Sequence, residues 1–248
     1  MTPDLNETLR LQLAHRSVRR YTQNPIARET LELLVQCGQA AATSSFVQAY
    51  SIIRVTDPEH RKAIAHAAGG QPWIIKAAEF LIFCADLKRI DQACREAGEA
   101  PLEGVTEHSL VAIVDVSLMA QNLMLAAESL GLGGAYIGGI RNHPRVVVDC
   151  LQLPEQVCPV FGMCLGHPDQ DTQIKPRLPV SMVLHDDHYQ DTTPAQLATY
   201  NERMAQYYET RSDQRKDTNW SRETAKAMQD KKRLHMSAFL RQRGFFKR

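Results

Sequence analysis

The stretch SLVAIVDVSLMAQNLMLAAESLGLGGAYIGGI, Ser109 to Ile140, decides the fold. Its first part is the most apolar run in the chain and must be told apart from a membrane span. A span of about 20 apolar residues excludes most of Asp115, Gln121, Asn122 and Glu128, all of which interrupt the run. A dinucleotide fingerprint fails as well. That motif needs G-x-G-x-x-G after a strand and opening a helix. Here Tyr136 stands where the third glycine belongs, and the glycines instead close a helix and lead into a strand. The reading left is a buried helix over about 109–130, capped by Gly131, then a strand in GAYIGGI. Gly138 and Gly139 fall at the far end of that strand. They are either turn residues or a place where a flat ligand meets bare backbone.

Outward from this stretch, helical spacing is visible over about 4–14 and over Arg28–Ala41, where Leu31, Leu34, Val35 and Gly38 share a face. YSIIRVTD (Tyr50–Asp57) reads as a strand closed by an Asp-Pro turn. Residues 58–66 read as a helix, broken at Gly69-Gly70, and AAEFLIFCAD (Ala77–Asp86) as a buried strand. Residues 87–106 read as a polar, irregular connection. A short helix PRVVVDCLQL precedes a strand VCPVFGMCLG, and a polar Pro-rich segment follows (His167–Pro179). VSMVLHDD is expected to be extended, and helices over about 194–211 and 221–242 finish the chain. Strands alternate with helices, so the class is α/β or α+β, with one modest sheet and helices on both faces.

Composition is that of a soluble globular protein, with 44% hydrophobic and 23% charged residues. The N-terminal MTPDLNETLRLQLAH lacks the apolar core of a signal peptide, and a cytoplasmic location is expected. The six cysteines form no C-x-x-C pair and read as buried free thiols, in keeping with a reducing compartment. Net charge is +1, but residues 211–248 hold 12 Lys and Arg against 4 Asp and Glu. Such a tail is a solvated helical surface or a contact for a polyanion.

Four further motifs bear on chemistry. HRSVRRYT (His15–Thr22) concentrates Arg16, Arg19 and Arg20, and TQIKPRLP (Thr172–Pro179) puts Lys175 and Arg177 on one face of an extended, proline-fixed segment. Both offer the donors that grip a phosphate. GMCLG (Gly162–Gly166) mimics a nucleophile elbow around Cys164, which would make a cysteine-nucleophile hydrolase, but no helix follows it. HDDH (His185–His188) has no further Cys or His partner nearby and reads as a polar loop, so no metal is expected. An anion- or nucleic-acid-binding module on the basic tail is the other alternative. The tail has few aromatics for stacking, mostly near its end, and no nucleic acid or membrane partner is expected.

Taken in order, HRSVRRY, ATSSFVQ (Ala42–Gln48), GGQ (Gly69–Gln71), AAESLGLGGAYIGGIRN, KPRLP and RSDQRKD (Arg211–Asp217) resemble the nitroreductase superfamily, in particular the oxygen-insensitive NADPH nitroreductase and flavin reductase group. The resemblance spans nearly the whole chain. It implies an α+β fold of three α/β/α layers around one mainly antiparallel sheet. It also implies a single FMN-binding domain over 1–248, with a basic helical C-terminal extension from about 194. Terminal extensions would wrap the partner of a homodimer. The implied activity is two-electron, ping-pong hydride transfer from NADPH through tightly bound FMN to nitroaromatics, quinones or free flavins.

By the same resemblance, His15, Arg16, Ser17 and Arg19, helped by Lys175 and Arg177, hold the phosphate and ribityl end. Thr43 and Gln71 approach the ribityl chain and ring edge, and Tyr136, Ile137, Gly138 and Gly139 supply backbone near the ring and its N5. Ser45 and Phe46 line the nicotinamide and substrate pocket. Arg211, Arg215 and Lys216 are candidates for the 2′-phosphate of NADPH. No catalytic acid or base is assigned, because the cofactor carries the difficult step.

Overall fold

The computed structural model describes residues 4–212 and 214–248. The described residues hold one four-stranded sheet of β1 (Tyr50–Arg54), β2 (Glu79–Asp86), β3 (Gly133–Ile137) and β4 (Val157–Gly166), in the order β1-β2-β4-β3 and antiparallel throughout. Ten α-helices are found among the described residues: α1 (Glu7–Leu13), α2 (Arg28–Gln39), α3 (Pro58–Ala67), α4 (Trp73–Lys76), α5 (Lys88–Glu96), α6 (Thr106–Ser129), α7 (Pro144–Leu151), α8 (Pro194–Thr210), α9 (Trp220–Asp230) and α10 (Met236–Gln242). The class is therefore α+β.

β2 explains the layering. Every residue of EFLIFCAD is buried, as expected of a strand covered on both faces. Side chains alternate across a strand. Phe80, Ile82 and Cys84 accordingly join a core with Ile64 of α3, Ile74 of α4 and Val147 of α7. Leu81 and Phe83 point the other way, into a core with Leu31 and Leu34 of α2 and Val116, Met119 and Leu123 of α6. α6 is long and apolar enough to cross a membrane, but Val116 through Ala127 of its inner face form the floor of that second core. It ends in a Schellman cap: Gly131, at φ +74°, donates to the Glu128 carbonyl, and Leu132 donates to that of Ala127. The cap turns the chain straight into β3.

Pro159 stands inside β4, where a ladder donor is missing. The pairing shifts there, with Phe83 opposite Phe161 but Cys84 opposite Pro159. The skipped Val160 directs its carbonyl to the Arg141 guanidinium at 2.5 Å. A β-bulge has thus re-aimed a backbone group toward the glycine turn after β3.

Three sequence expectations are corrected. Residues 87–106 are not wholly irregular: α5 forms there, held by the Asp91–Arg95 pair at i,i+4 and by Asp91 accepting from the Leu102 N–H at 2.6 Å. VSMVLHDD is not extended; Val180–Met182 make a short 3-10 turn, and Val180 and Val183 stay exposed and pair with no strand among the described residues. The helix over 221–242 is two, α9 and α10, separated where Arg233 takes φ +40°.

The chain divides into two compact units. Met1–Gln170 and Arg233–Arg248 make the larger, so α10 packs with the sheet, burying Phe239 and Phe245 beside Ala85 and Ala112. Asp171–Lys232 make the smaller, with its own core of Tyr200, Met204 and Tyr208 against Leu178, Tyr207 and Trp220. Within the smaller unit α8 opens on a capping box, Thr193 with Gln196, followed by Pro194 at the first helical position.

Candidate functional site

In the larger unit HRSVRRYT runs extended and is tied down through its backbone. Val18 donates to the Gly134 carbonyl of β3 at 2.8 Å, Thr22 donates to that of His167, and Asp169 donates to that of Arg20 at 2.9 Å. The Gln170 side-chain oxygen accepts from the amides of Arg19 and Arg20, at 3.0 and 2.7 Å. Val18 and Tyr21 are buried, and the Tyr21 hydroxyl closes the turn on the Val18 carbonyl at 2.6 Å. Burial raises the Tyr21 hydroxyl far above its ordinary value, so it stays neutral. Arg16, Arg19 and Arg20 stay exposed, and His15 and Ser17 are half-buried. His15 Nδ1 meets Glu128 Oε1, at the end of α6, at 2.6 Å. The Arg19 guanidinium lies 5.7 Å from the centre of the Trp73 ring.

Trp73 follows the Gly69-Gly70-Gln71 turn, and that turn meets the one after β3. A side chain at Gly139 would run into the Ala68 carbonyl and the Gln71 amide. Gln71 donates to the same Ala68 carbonyl at 2.8 Å, which fixes its side chain along Gly139. Gly138 lies under Arg141, whose guanidinium would stand 3.3 Å from an added Cβ. Burial, then the nearby Arg233, lower the Arg141 affinity for its proton. Ile137 is buried, whereas Tyr136 is exposed along one side, stacks edge-on with Phe161 and donates to Gln121 at 3.3 Å. Bare backbone at 138–139 is therefore flanked by an amide, a guanidinium and an aromatic ring.

Thr43, Ser45 and Phe46 form a third part. The Thr43 hydroxyl donates to Asp115 Oδ2 at 2.5 Å and accepts from the Gln48 amide at 2.9 Å. One lone pair of that hydroxyl is left for any ligand. Ser45 and Phe46 follow at positive φ, and Phe46 is 79% exposed.

The smaller unit carries the other cations. Lys175 Nζ and the Arg211 guanidinium lie 5.3 and 5.2 Å from the centre of one ring, that of Tyr208. Arg211 also donates to the Gln214 carbonyl through Nε at 2.9 Å and through its second terminal nitrogen. Lys216 pairs with Glu223 at 3.3 Å, and Arg177 and Arg215 are exposed. Lys175 and Arg211, assigned from sequence to different phosphates, converge on the same tyrosine.

Cys164 is no nucleophile. It lies within β4, fully buried in the core with Phe80 and Ile64, and burial drives its thiol far above the ordinary range. Cys158, likewise buried, is pushed up to about 12. All six cysteines are free thiols.

Four residues of this geometry were not found by sequence reasoning: Trp73, Gln170, Tyr208 and Asp115. A lone carboxylate in an apolar helix was the available signal for Asp115, because a buried charge must find donors. The others act through position alone.

The chain is similar to known proteins over nearly its whole length. The family model described as "Nitroreductase family" matches residues 13–167, and "Nitroreductase family, C-terminal domain" matches residues 175–248. The NADPH-flavin oxidoreductase of Vibrio harveyi is 43% identical over 244 residues, 98% of this chain and 100% of that protein. The oxygen-insensitive NADPH nitroreductase of Salmonella typhimurium is 41% identical, covering 97% of this chain and 99% of its own length. The structure of NfrA1 nitroreductase from B. subtilis superimposes with a TM-score of 0.93 at 40% identity, over 98% of this chain and 100% of that one.

Proposed function

The chain belongs to the nitroreductase family as one of its NADPH-dependent flavin and nitro reductases, and we propose that it binds FMN tightly and uses NADPH to reduce nitroaromatics, quinones or free flavins. FMN, when bound, would supply the two-electron redox chemistry between NADPH and an acceptor, in ping-pong order. The protein binds, orients and tunes.

The observation that carries this reading is the arginine segment. Its backbone is tied at Val18, Arg19, Arg20 and Thr22 within the larger unit while the Arg19 and Arg20 side chains are exposed, which sets cations ready for an external anion. His15, Arg16, Ser17 and Arg19 are proposed to take the phosphate and ribityl end. Gln71 and Tyr136–Gly139 are proposed to lie against the flat ring; the Gly139 backbone comes so close to Ala68 and Gln71 that only glycine fits there, which fixes the Gln71 side chain. Thr43 adds its remaining lone pair, and Ser45 and Phe46 line the donor and acceptor pocket. Lys175 and Arg177 keep the anion-binding role that the resemblance gives them, and Arg211, Arg215 and Lys216 that of selecting the 2′-phosphate.

A homodimer is proposed as the working form. Leu110, Val114 and Leu118 make an exposed apolar stripe at helical spacing on α6, and Leu9 and Leu13 make another on α1; such faces mark association surfaces. A cytoplasmic location suits the six free thiols.

The testing experiment is a visible spectrum of protein reconstituted with FMN and titrated anaerobically with NADPH. Bleaching, followed by recovery on adding a nitroaromatic or quinone, is the expected result. A protein that neither retains nor binds FMN overturns the reading. A monomer by light scattering that still binds FMN overturns the dimer.

A further inference from the structure

Between Thr43 and Ala49 the backbone takes a conformation that the residues do not favour. Ser45, Phe46 and Gln48 sit at φ +47°, +59° and +52°, in the left-handed region that penalises side chains, bulky ones most. A strained turn of this kind persists only where surrounding groups over-determine it.

Here one group does so. Asp115, on the inner face of α6 and 1% exposed, accepts three hydrogen bonds from the two ends of the turn. Oδ2 takes the Thr43 hydroxyl at 2.5 Å and the Ala49 amide at 3.1 Å, and Oδ1 takes the Ser44 amide at 3.0 Å. Thr43, fixed in this way, accepts in turn from the Gln48 amide. Between the clamped ends Ser45 and Phe46 are exposed, Phe46 the more of the two, while Val47 packs back against the core that holds Ala49 and Ala112.

We propose that Asp115 is a positioning residue of the acceptor pocket, whose buried carboxylate clamps the Thr43–Ala49 turn and so presents Ser45 and Phe46 to the donor and acceptor. The proposal rests on the reading of Ser45 and Phe46 as pocket residues given above. Asp115 itself touches no substrate. A carboxylate is required, because three N–H or O–H donors converge on two oxygens. An asparagine has one oxygen, so whichever way its amide turns, at least one donor of the turn loses its partner.

The test compares the FMN-loaded wild type with Asp115→Asn, Phe46→Ala and the double variant. Asp115→Asn should raise the KM for NADPH and for a quinone about tenfold, the scale of one lost charged hydrogen bond, with kcat per bound FMN held. Loss of folded protein alone would lower the apparent kcat and leave KM unmoved. In the Phe46→Ala background the second change should add little, since the presented ring is already gone. If Phe46→Ala raises KM while Asp115→Asn does not, or if the two effects simply add, the clamp is wrong. If Phe46→Ala leaves KM unchanged, the pocket reading fails instead, and the clamp on this pocket fails with it.

Amide exchange on the wild-type holoenzyme gives a second readout should Asp115→Asn not fold. The Ser44 and Ala49 amides should be protected and the intervening Ser45 amide should exchange freely. Equal exchange at all three overturns the proposal.

Discussion

Arg19 and Arg211 are both guanidiniums set over an aromatic ring, 5.7 Å from Trp73 and 5.2 Å from Tyr208. They are held by opposite means. Around Arg19 the main chain is fixed, by β3 on one side and by 167–170 on the other, and the head is left to reach outward. Around Arg211 the head itself is fixed, with two of its nitrogens donating to the Gln214 carbonyl. A guanidinium has five donors, so the first arrangement leaves more of them for a ligand and the second fixes direction at the cost of capacity. The first suits an anion that stays, and the second suits one that must leave every turnover.

The largest effect tests the first half of this contrast. Replacing Arg19 with Ala should weaken FMN binding by about 10- to 100-fold, the range for a lost charged hydrogen bond, read by quenching of flavin fluorescence. Unchanged affinity removes Arg19 from the phosphate. The second half predicts a selective loss: Arg211→Ala should raise the KM for NADPH about tenfold and leave that for NADH nearly untouched. An equal rise for both donors ends the 2′-phosphate assignment. Tyr208→Leu is expected to be milder. It removes the ring beneath Lys175 and Arg211, and a cation–π contact at an exposed site contributes about 0.5–1 kcal/mol. The KM for NADPH should rise by about two- to fivefold. Tyr208 also packs with Tyr200 and Met204, so a melting curve must accompany the kinetics; a KM unmoved in a folded variant would show that the ring supports the unit and not the cations.

The two regions were unequally legible in the sequence. Period and burial announced β1, β2 and β4, the long α6 and its glycine cap, because apolar alternation and helix caps are local signals. HRSVRRYT was legible as a cluster of donors, yet what fixes it is not local. Gln170, about 150 residues away, accepts both of its amides, and no spacing in the chain encodes that meeting. In the smaller unit the sequence pattern placed Lys175 and Arg177 on one face, but not the tyrosine of α8 that gathers Lys175 with Arg211. VSMVLHDD misled because β-branched residues favour strands only when a neighbouring strand is there to pair. Asp115 was visible merely as an interruption in an apolar run; its three donors come from a turn some 70 residues earlier.

Gln170→Ala is expected to have an effect as small as that of Tyr208→Leu and decides what the backbone ties are for. The Arg19 and Arg20 amides it would release belong to exposed residues, so water can replace the lost acceptor and the net cost is about 0.5–1 kcal/mol. If the ties pre-set the guanidiniums for the flavin phosphate, FMN affinity should fall about two- to fivefold. In an Arg19→Ala background most of that loss should vanish, because the head being positioned is absent. Full additivity, with Gln170→Ala as costly as before, would mean that Gln170 acts on the flavin by another route. Fixing the main chain and freeing the head would then be two unrelated features of this segment.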